Sequence, residues 1–271
     1  MLDTATTVTA RLNYLDPGEH APRSYIDPPA TGAAVRRPET VVEEVVIQDV
    51  RPILEKIALD REGMALVHRL SQVRNFYDAD EVRSVYYPEV RELVEEVTGA
   101  ARVHVFDHNV RSEPRADRGE AKVRKPVRFV HNDYTETSGP QRVRDLLPDE
   151  AEALLGRRFA VINVWRPIVG PVEDTPLAVC DATSMGDGDF VATDLVYEDR
   201  VGEVYSVRYR PTHRWYYVSA MQPDEAMLLK CYDSETDGRA RFTAHSAFHN
   251  PTAPADVIPR ESIEARTLAF F

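Results

Sequence analysis

The chain has 271 residues, enough for one large all-β domain or two small ones and for an enclosed pocket. Its 33 basic and 45 acidic residues leave a net charge of −12, which argues against a nucleic-acid or anionic-membrane surface, since both need clustered positive charge. Cys180 and Cys231 are too few for a disulfide framework and too far apart for a CxxC site, no apolar run reaches membrane-spanning length, and the N-terminus lacks a leader pattern; the expected location is the cytoplasm.

In chain order, residues 1–45 are rich in Pro, Ala and Thr, with Tyr14, Tyr25 and Ile26 as scattered anchors, and read as an irregular arm. Residues 46–100 read as a helical flank: Val46 to about Phe76 mixes a short extended piece with a helical one, then Asp78 or Asp80 offers an N-cap, Val82, Val85, Tyr86, Val90, Leu93, Val94 and Val97 fall at helical spacing, Pro88 should disturb the helix, and Gly99 should end it. From 101 to 271 the pattern is that of strands. Arg102–His108, Val127–Val130, Phe159–Arg166, Leu177–Cys180, Glu203–Tyr209, Arg214–Val218, Ala226–Tyr232, Arg241–Phe248 and Ile263–Phe271 are β-branched or aromatic runs cut by Pro, Gly and Asp turns. The basic residues between Arg111 and Arg128 interleave with acids and read as a solvated loop. The expected fold is mainly β: one domain over 1–271 with a double-stranded β-helix (jelly-roll or cupin-like) core and an N-terminal helical flank.

Within this frame His131-Asn132-Asp133 closes an extended run, and His245 stands on a late strand inside Phe-Thr-Ala-His-Ser-Ala-Phe. Alternate residues of a strand share a side, so His131 and Asp133 can converge on one ion, and a distal His completes the two-His-one-carboxylate set that leaves metal positions open for O₂ and a cosubstrate. His249 is the competing distal ligand, and His104 and His108, with Asp107 beside them, are a rival cluster without an evident third ligand. A 2-oxo acid cosubstrate would need a cation for its distal carboxylate. Arg260, Ser262 and Arg266 share strand parity and offer two guanidinium groups and a hydroxyl, Asn163 and Arg166 precede Pro167 on another strand, and Lys230 is a weaker substitute. The choice between Arg260 and Arg266 stays open, with Arg166 third. Trp165, Trp215, Tyr216 and Tyr217, with Arg166 and His108, are candidates to wall a small-molecule pocket.

Over most of its length the chain resembles the CmcJ/AsaB-type, gibberellin-desaturase-like non-haem Fe(II) oxygenases. The likeness is carried by Val130-His131-Asn132-Asp133-Tyr134-Thr135, Ile162-Asn163-Val164-Trp165-Arg166-Pro167, Leu177 to Asp181, Asp194 to Arg200, Trp215-Tyr216-Tyr217, Lys230-Cys231-Tyr232-Asp233-Ser234, His245 to Phe248 and Pro259 to Arg266. The resemblance implies a jelly-roll core, Fe(II) held by His131, Asp133 and His245, and oxidation of a small natural-product or amino-acid-like substrate. The reading is an Fe(II)- and 2-oxoglutarate-dependent oxygenase (hydroxylase, desaturase or cyclase) consuming O₂ and acting on a small specialised metabolite, with no nucleic-acid or membrane partner. Competing readings are a metal-dependent isomerase, lyase or 2-oxoglutarate-independent oxygenase on the same fold, and a non-catalytic accessory subunit. The substrate and the oligomeric state are not legible.

Overall fold

The computed structural model describes residues 7–20, 22–25 and 38–271; the Ile26 anchor lies outside them. The strands are β1 (Thr7–Leu15), β2 (Arg23–Tyr25), β3 (Thr40–Asp49), β4 (Met64–His68), β5 (Arg102–Ser112), β6 (Val123–Arg124), β7 (His131–Asn132), β8 (Phe159–Val169), β9 (Leu177–Cys180), β10 (Phe190–Val196), β11 (Val201–Val207), β12 (Trp215–Tyr217), β13 (Glu225–Asp233), β14 (His245–Ala247) and β15 (Glu261–Phe270). They form a nine-stranded sheet, β1-β3-β12-β9-β14-β7-β11-β10-β2, and a six-stranded sheet, β4-β13-β8-β15-β5-β6. This is the mainly β, double-stranded β-helix architecture expected from the sequence.

Three apolar clusters hold the layers together. Between the sheets, Trp165, Leu229, Cys231 and Leu268 meet Leu177, Val179 and Tyr216. On the far face of the six-stranded sheet, Ile162, Val164, Leu228, Ile263 and Ala265 pack against Val82, Tyr86, Val90, Leu93 and Val94 of the helical flank. The third gathers Leu12, Tyr14, Ile47, Trp215, Tyr217 and Phe248. Each large apolar side chain sealed in this way contributes roughly 1.5–3 kcal/mol.

The flank is helical where its periodicity says. The Asp78 carboxylate accepts from the backbone N–H groups of Asp80 and Glu81, and Gly99 closes the helix with φ 72°. Pro88 does not end the helix: a wider π-type stretch, Val82–Tyr86, precedes it and the Tyr87 N–H reaches back to the Val82 carbonyl. The flank also contains a strand, β4, which extends the six-stranded sheet beside β13.

The irregular arm is a misreading of residues 1–45. β1 and β3 pair antiparallel over nine residues, and β2 adds an edge beside β10. Val8, Ala10, Leu12 and Tyr14 are buried and alternate with Thr7, Thr9, Arg11 and Asn13, a half-buried strand pattern that the nearby Pro- and Ala-rich composition obscures. The stretch from Arg111 to Arg128 is likewise more than a loop, since β5 runs to Ser112, a short helix covers Glu113–Asp117, and β6 follows. Residues 127–130 form no ladder; the Val127 carbonyl accepts from Ala247 N–H (2.8 Å) and Val130 N–H donates to Asn13 (2.9 Å).

Candidate metal centre

β14 lies beside β7 with His245 in register with His131, and residues directly opposite in an antiparallel pair point to the same side. The two imidazole centroids are 4.5 Å apart, and His131 Nε2 is 3.5 Å from Asp133 Oδ1. One ligand atom from each of His131, Asp133 and His245 falls within 4.8 Å of the others. Both histidines face a backbone carbonyl two residues upstream through Nδ1: His131 to Phe129 at 2.7 Å, His245 to Thr243 at 2.9 Å. That contact keeps the proton on Nδ1 and turns the Nε2 lone pair toward the shared space, which is the tautomer a metal needs.

Asp133 is also prepared. Its Oδ2 accepts from Asn163 Nδ2 (2.8 Å) and Arg266 Nε (3.2 Å), leaving Oδ1 as the one oxygen directed at the histidines. Burial alone would raise this carboxyl, but Arg266 and His131 outweigh it and hold Asp133 well below the usual carboxylate range. Burial, reinforced by His131, pushes His245 down to about 4, so both groups are in their metal-binding protonation states at neutral pH. Two imidazole nitrogens and one carboxylate oxygen, with no fourth His, Cys, Asp or Glu gathered to them among the described residues, suit Fe(II) of the oxygenase type.

The rival sites do not assemble. His249 is exposed, whereas His245 is 3% exposed. A register shift in the pairing of β15 with β5, between Arg266 and Thr267, separates His104, opposite Leu268, from His108, opposite Ala265. Leu268 belongs to the cluster between the sheets and Ala265 to the cluster under the helix, so strand parity from sequence misleads here. His108 Nδ1 meets the Tyr87 hydroxyl (2.9 Å), and Asp107 binds Arg266 (2.9 Å).

The candidate cosubstrate residues separate by face. On β15, Ser262, Glu264 and Arg266 stand opposite Pro167, Trp165 and Asn163 of β8, on the side of the triad. Arg266 is occupied by Asp133, Asp107 and, at 3.7 Å, Glu264, and these anions outweigh burial in keeping it protonated. Arg260, 4% exposed, has no carboxylate side chain within salt-bridge distance among the described residues. Its Nε reaches Ser262 Oγ (3.1 Å), its Nη1 donates to the Thr175 carbonyl (2.9 Å), and it lies over the Trp165 ring at 5.0 Å. Burial and then Arg111 lower its pKa, and it remains charged at neutral pH. A cleft of about 350 Å³ between Glu113, Asp117, Asp174 and Thr175 opens onto it.

Arg166 is the correction. β8 continues through Pro167, so Arg166 stands opposite Ile263 on the far face, with its guanidinium 5.3 Å from the Tyr86 ring. It cannot serve the site on the other side of the sheet. Lys230 is also elsewhere, buried against Asp60 and Asp233 (3.0 Å). Of the four aromatics, Trp215 and Tyr217 belong to the third cluster, and Trp215 donates to the Tyr14 hydroxyl (2.8 Å). The sequence did not single out Glu264 and Arg111, which the structure places near the triad and Ser262. Glu264 faces the triad through its parity with Ser262 and Arg266, a signal present in the sequence, and burial followed by Asp133 raises its pKa. Arg111 stands opposite Ser262.

A family model described as "Oxidoreductase/YMDC permease-like domain" matches residues 12–270. Among the described residues no helix is long and apolar enough to cross a membrane. The chain is 34% identical to hydroxylase/desaturase efuI of Hormonema carpetanum over 98% of this chain and 95% of that protein. It is 35% identical to the Fe(II)/2-oxoglutarate-dependent dioxygenase nvfI of Aspergillus novofumigatus over 84% of this chain and 83% of that protein. The solved structure of the iron and alpha-ketoglutarate-dependent endoperoxidase NvfI superposes with a TM-score of 0.89 at 29% identity, covering 98% of each chain. With the converging triad and the shared fold, these likenesses settle the family: the chain belongs to the hydroxylase/desaturase family of non-haem Fe(II)- and 2-oxoglutarate-dependent dioxygenases.

Proposed function

We propose that His131, Asp133 and His245 hold Fe(II), that Arg260 with Ser262 receives the distal carboxylate of 2-oxoglutarate, and that the chain oxidises a small specialised metabolite. The observation that carries the reading is the preparation of all three ligands, two histidines fixed by Nδ1 and an aspartate with one oxygen already taken. When bound, the iron supplies O₂ activation coupled to oxidative decarboxylation of 2-oxoglutarate, and with it the power to oxidise a substrate C–H bond. The protein supplies position and protonation state.

Arg266 and Asn163 are positioning residues: they occupy Asp133 Oδ2 and so orient Oδ1. Arg260 differs from Arg266 in having hydroxyl and carbonyl acceptors but no ion-paired carboxylate, so an incoming carboxylate would complete it, with Ser262 Oγ as an adjacent hydroxyl. Trp165 stacks beneath the guanidinium and excludes water from that side.

The relatives are named for hydroxylation, desaturation and endoperoxidation, so the same centre supports several outcomes. For this chain the substrate is inferred to be of low molecular weight; the acidic balance supports the absence of a nucleic-acid partner. Work in a reducing compartment such as the cytoplasm is part of the proposal, supported by two buried free thiols. Anaerobic titration of the apo chain with Fe(II) and then 2-oxoglutarate, followed by a screen of small metabolites for O₂-dependent succinate release, tests the reading. One equivalent of iron, saturable cosubstrate binding and succinate formed with an oxidised metabolite are expected. Absence of iron uptake would reject the assignment.

A further inference from the structure

We propose that Asn132 and Thr243 form a peg that sets the spacing of the two histidine-bearing segments, so that the ligand geometry depends on a side-chain amide more than on sheet pairing; this rests on the Fe(II) reading above. β7 has two residues and β14 three, and they share one register pair, His245 with His131. β9 holds β14 over three register pairs and β11 holds β7 over two, but between the two ligand-bearing strands themselves there is that one pair, too short a ladder to set their spacing. The residues leading into β14 form no strand, although their sequence reads as one.

Asn132 lies between the two N-terminal ligands and is fully buried. Its Oδ1 accepts from the Thr243 backbone N–H (3.0 Å), and its Nδ2 donates to the carbonyls of Tyr134 (2.7 Å) and Cys231 (2.8 Å). The Tyr134 contact turns the chain around Asp133. The Thr243 contact fixes the residue whose own carbonyl holds His245 Nδ1 at 2.9 Å. One amide therefore touches the chain within two residues of all three ligands. Thr243 is pinned a second time: its hydroxyl lies 2.7 Å from the Lys230 carbonyl and 3.1 Å from that of Gly63, donating its single proton to one or the other. Gly63 has φ +85°, and a Cβ there would stand 2.1 Å from Thr243 Oγ1, so the close approach requires glycine.

Buried amides replaced by apolar groups leave their former partners without a hydrogen bond, and outer-shell supports of metal ligands affect metal affinity about 10–100-fold. The test is anaerobic titration of the full apo chain with Fe(II), and separately with Co(II), whose visible absorption reports coordination geometry. Asn132→Ala and Thr243→Val should each weaken Fe(II) binding about 10–100-fold and alter the Co(II) spectrum, whereas Thr243→Ser, which keeps the hydroxyl, should match the wild type. Unchanged affinity and spectrum in Asn132→Ala and Thr243→Val would overturn the proposal. So would lower apo stability with an unchanged Co(II) spectrum, since that marks a folding role alone. If Asn132→Ala does not fold, the Thr243 pair decides: a difference between Val and Ser supports the peg, and identical behaviour overturns it. A wild-type chain that takes up no Fe(II) would overturn both this proposal and the metal assignment.

Discussion

Arg260 and Arg166 are almost equally buried and both belong to the β8–β15 region, yet one serves the side of the sheet that carries the triad and the other serves the helix. Arg260 has a hydroxyl, a carbonyl and an open cleft around it. Arg166 has the Tyr86 ring, and its Nε and Nη1 find no hydrogen-bond partner among the described residues. On the proposal that Arg260 receives the cosubstrate, burial and residue type do not identify an anion site; the face of the strand does, together with what else on that face is still unpaired.

The largest expected effect comes from the triad itself. Asp133→Ala or His245→Ala should abolish stoichiometric Fe(II) binding in an anaerobic titration while the far-ultraviolet circular dichroism stays native, and His249→Ala should retain the metal. Next, Arg260→Ala should bind iron normally but raise the 2-oxoglutarate dissociation constant by about two to three orders of magnitude, since removing one partner of a desolvated charge pair costs about 2–5 kcal/mol. Wild-type cosubstrate affinity in that variant would dissolve the contrast with Arg166.

The triad side also titrates differently. An unfolded histidine takes up its proton near pH 6.5, while folded His245 resists until about 4, so the unfolded chain binds more protons between these values and acid favours it. Urea melts of the iron-free chain should therefore show stability falling as pH drops from about 6.5 to about 4, with about 3 kcal/mol of the fall coming from His245. His245→Gln should flatten that slope, leaving the part due to His104 and His108, whose pKa values burial also lowers. Arg266→Ala should weaken iron binding about 10–100-fold by removing one of the two donors that hold Asp133 Oδ2, an effect on the metal that Arg260→Ala lacks. The smallest effect belongs to Arg166→Met: iron and 2-oxoglutarate affinities should stay within about twofold, and thermal stability should change little, because an apolar replacement of a buried, poorly hydrogen-bonded cation is often neutral.

The convergence of His131, Asp133 and His245 was legible because His-x-Asp with a distal His is a spacing tied to chemistry, and the nearness of Arg260 to Ser262 because both lie on one strand parity, while the choice between Arg260 and Arg266 was not. What could not be read depends on register and on contacts between distant segments. The β5 register shift places His104 and His108 on opposite faces, and no residue type announces it. Residues 241–244 have strand composition, but the Thr243 N–H goes to the Asn132 side chain and its hydroxyl to the Lys230 or Gly63 carbonyl. β1 shows a clear alternation of Val8, Ala10, Leu12 and Tyr14, which overall composition hid. A window of nine residues contains the signal; an average over forty-five does not.

That first strand has a consequence for solution behaviour. β1 covers nine of the ten residues of β3 on one side, and Val42 and Val46 of β3 are exposed on their outer face. Removing residues 1–15 would leave a ten-residue strand with a free row of N–H and C=O groups and two exposed valines, a template for another copy to add to. The same cut would delete the Asn13 carbonyl that receives Val130 N–H, directly ahead of His131. Trimmed forms of this chain should therefore fail through self-association as well as through a loosened metal site, and their aggregation should grow with protein concentration in light scattering.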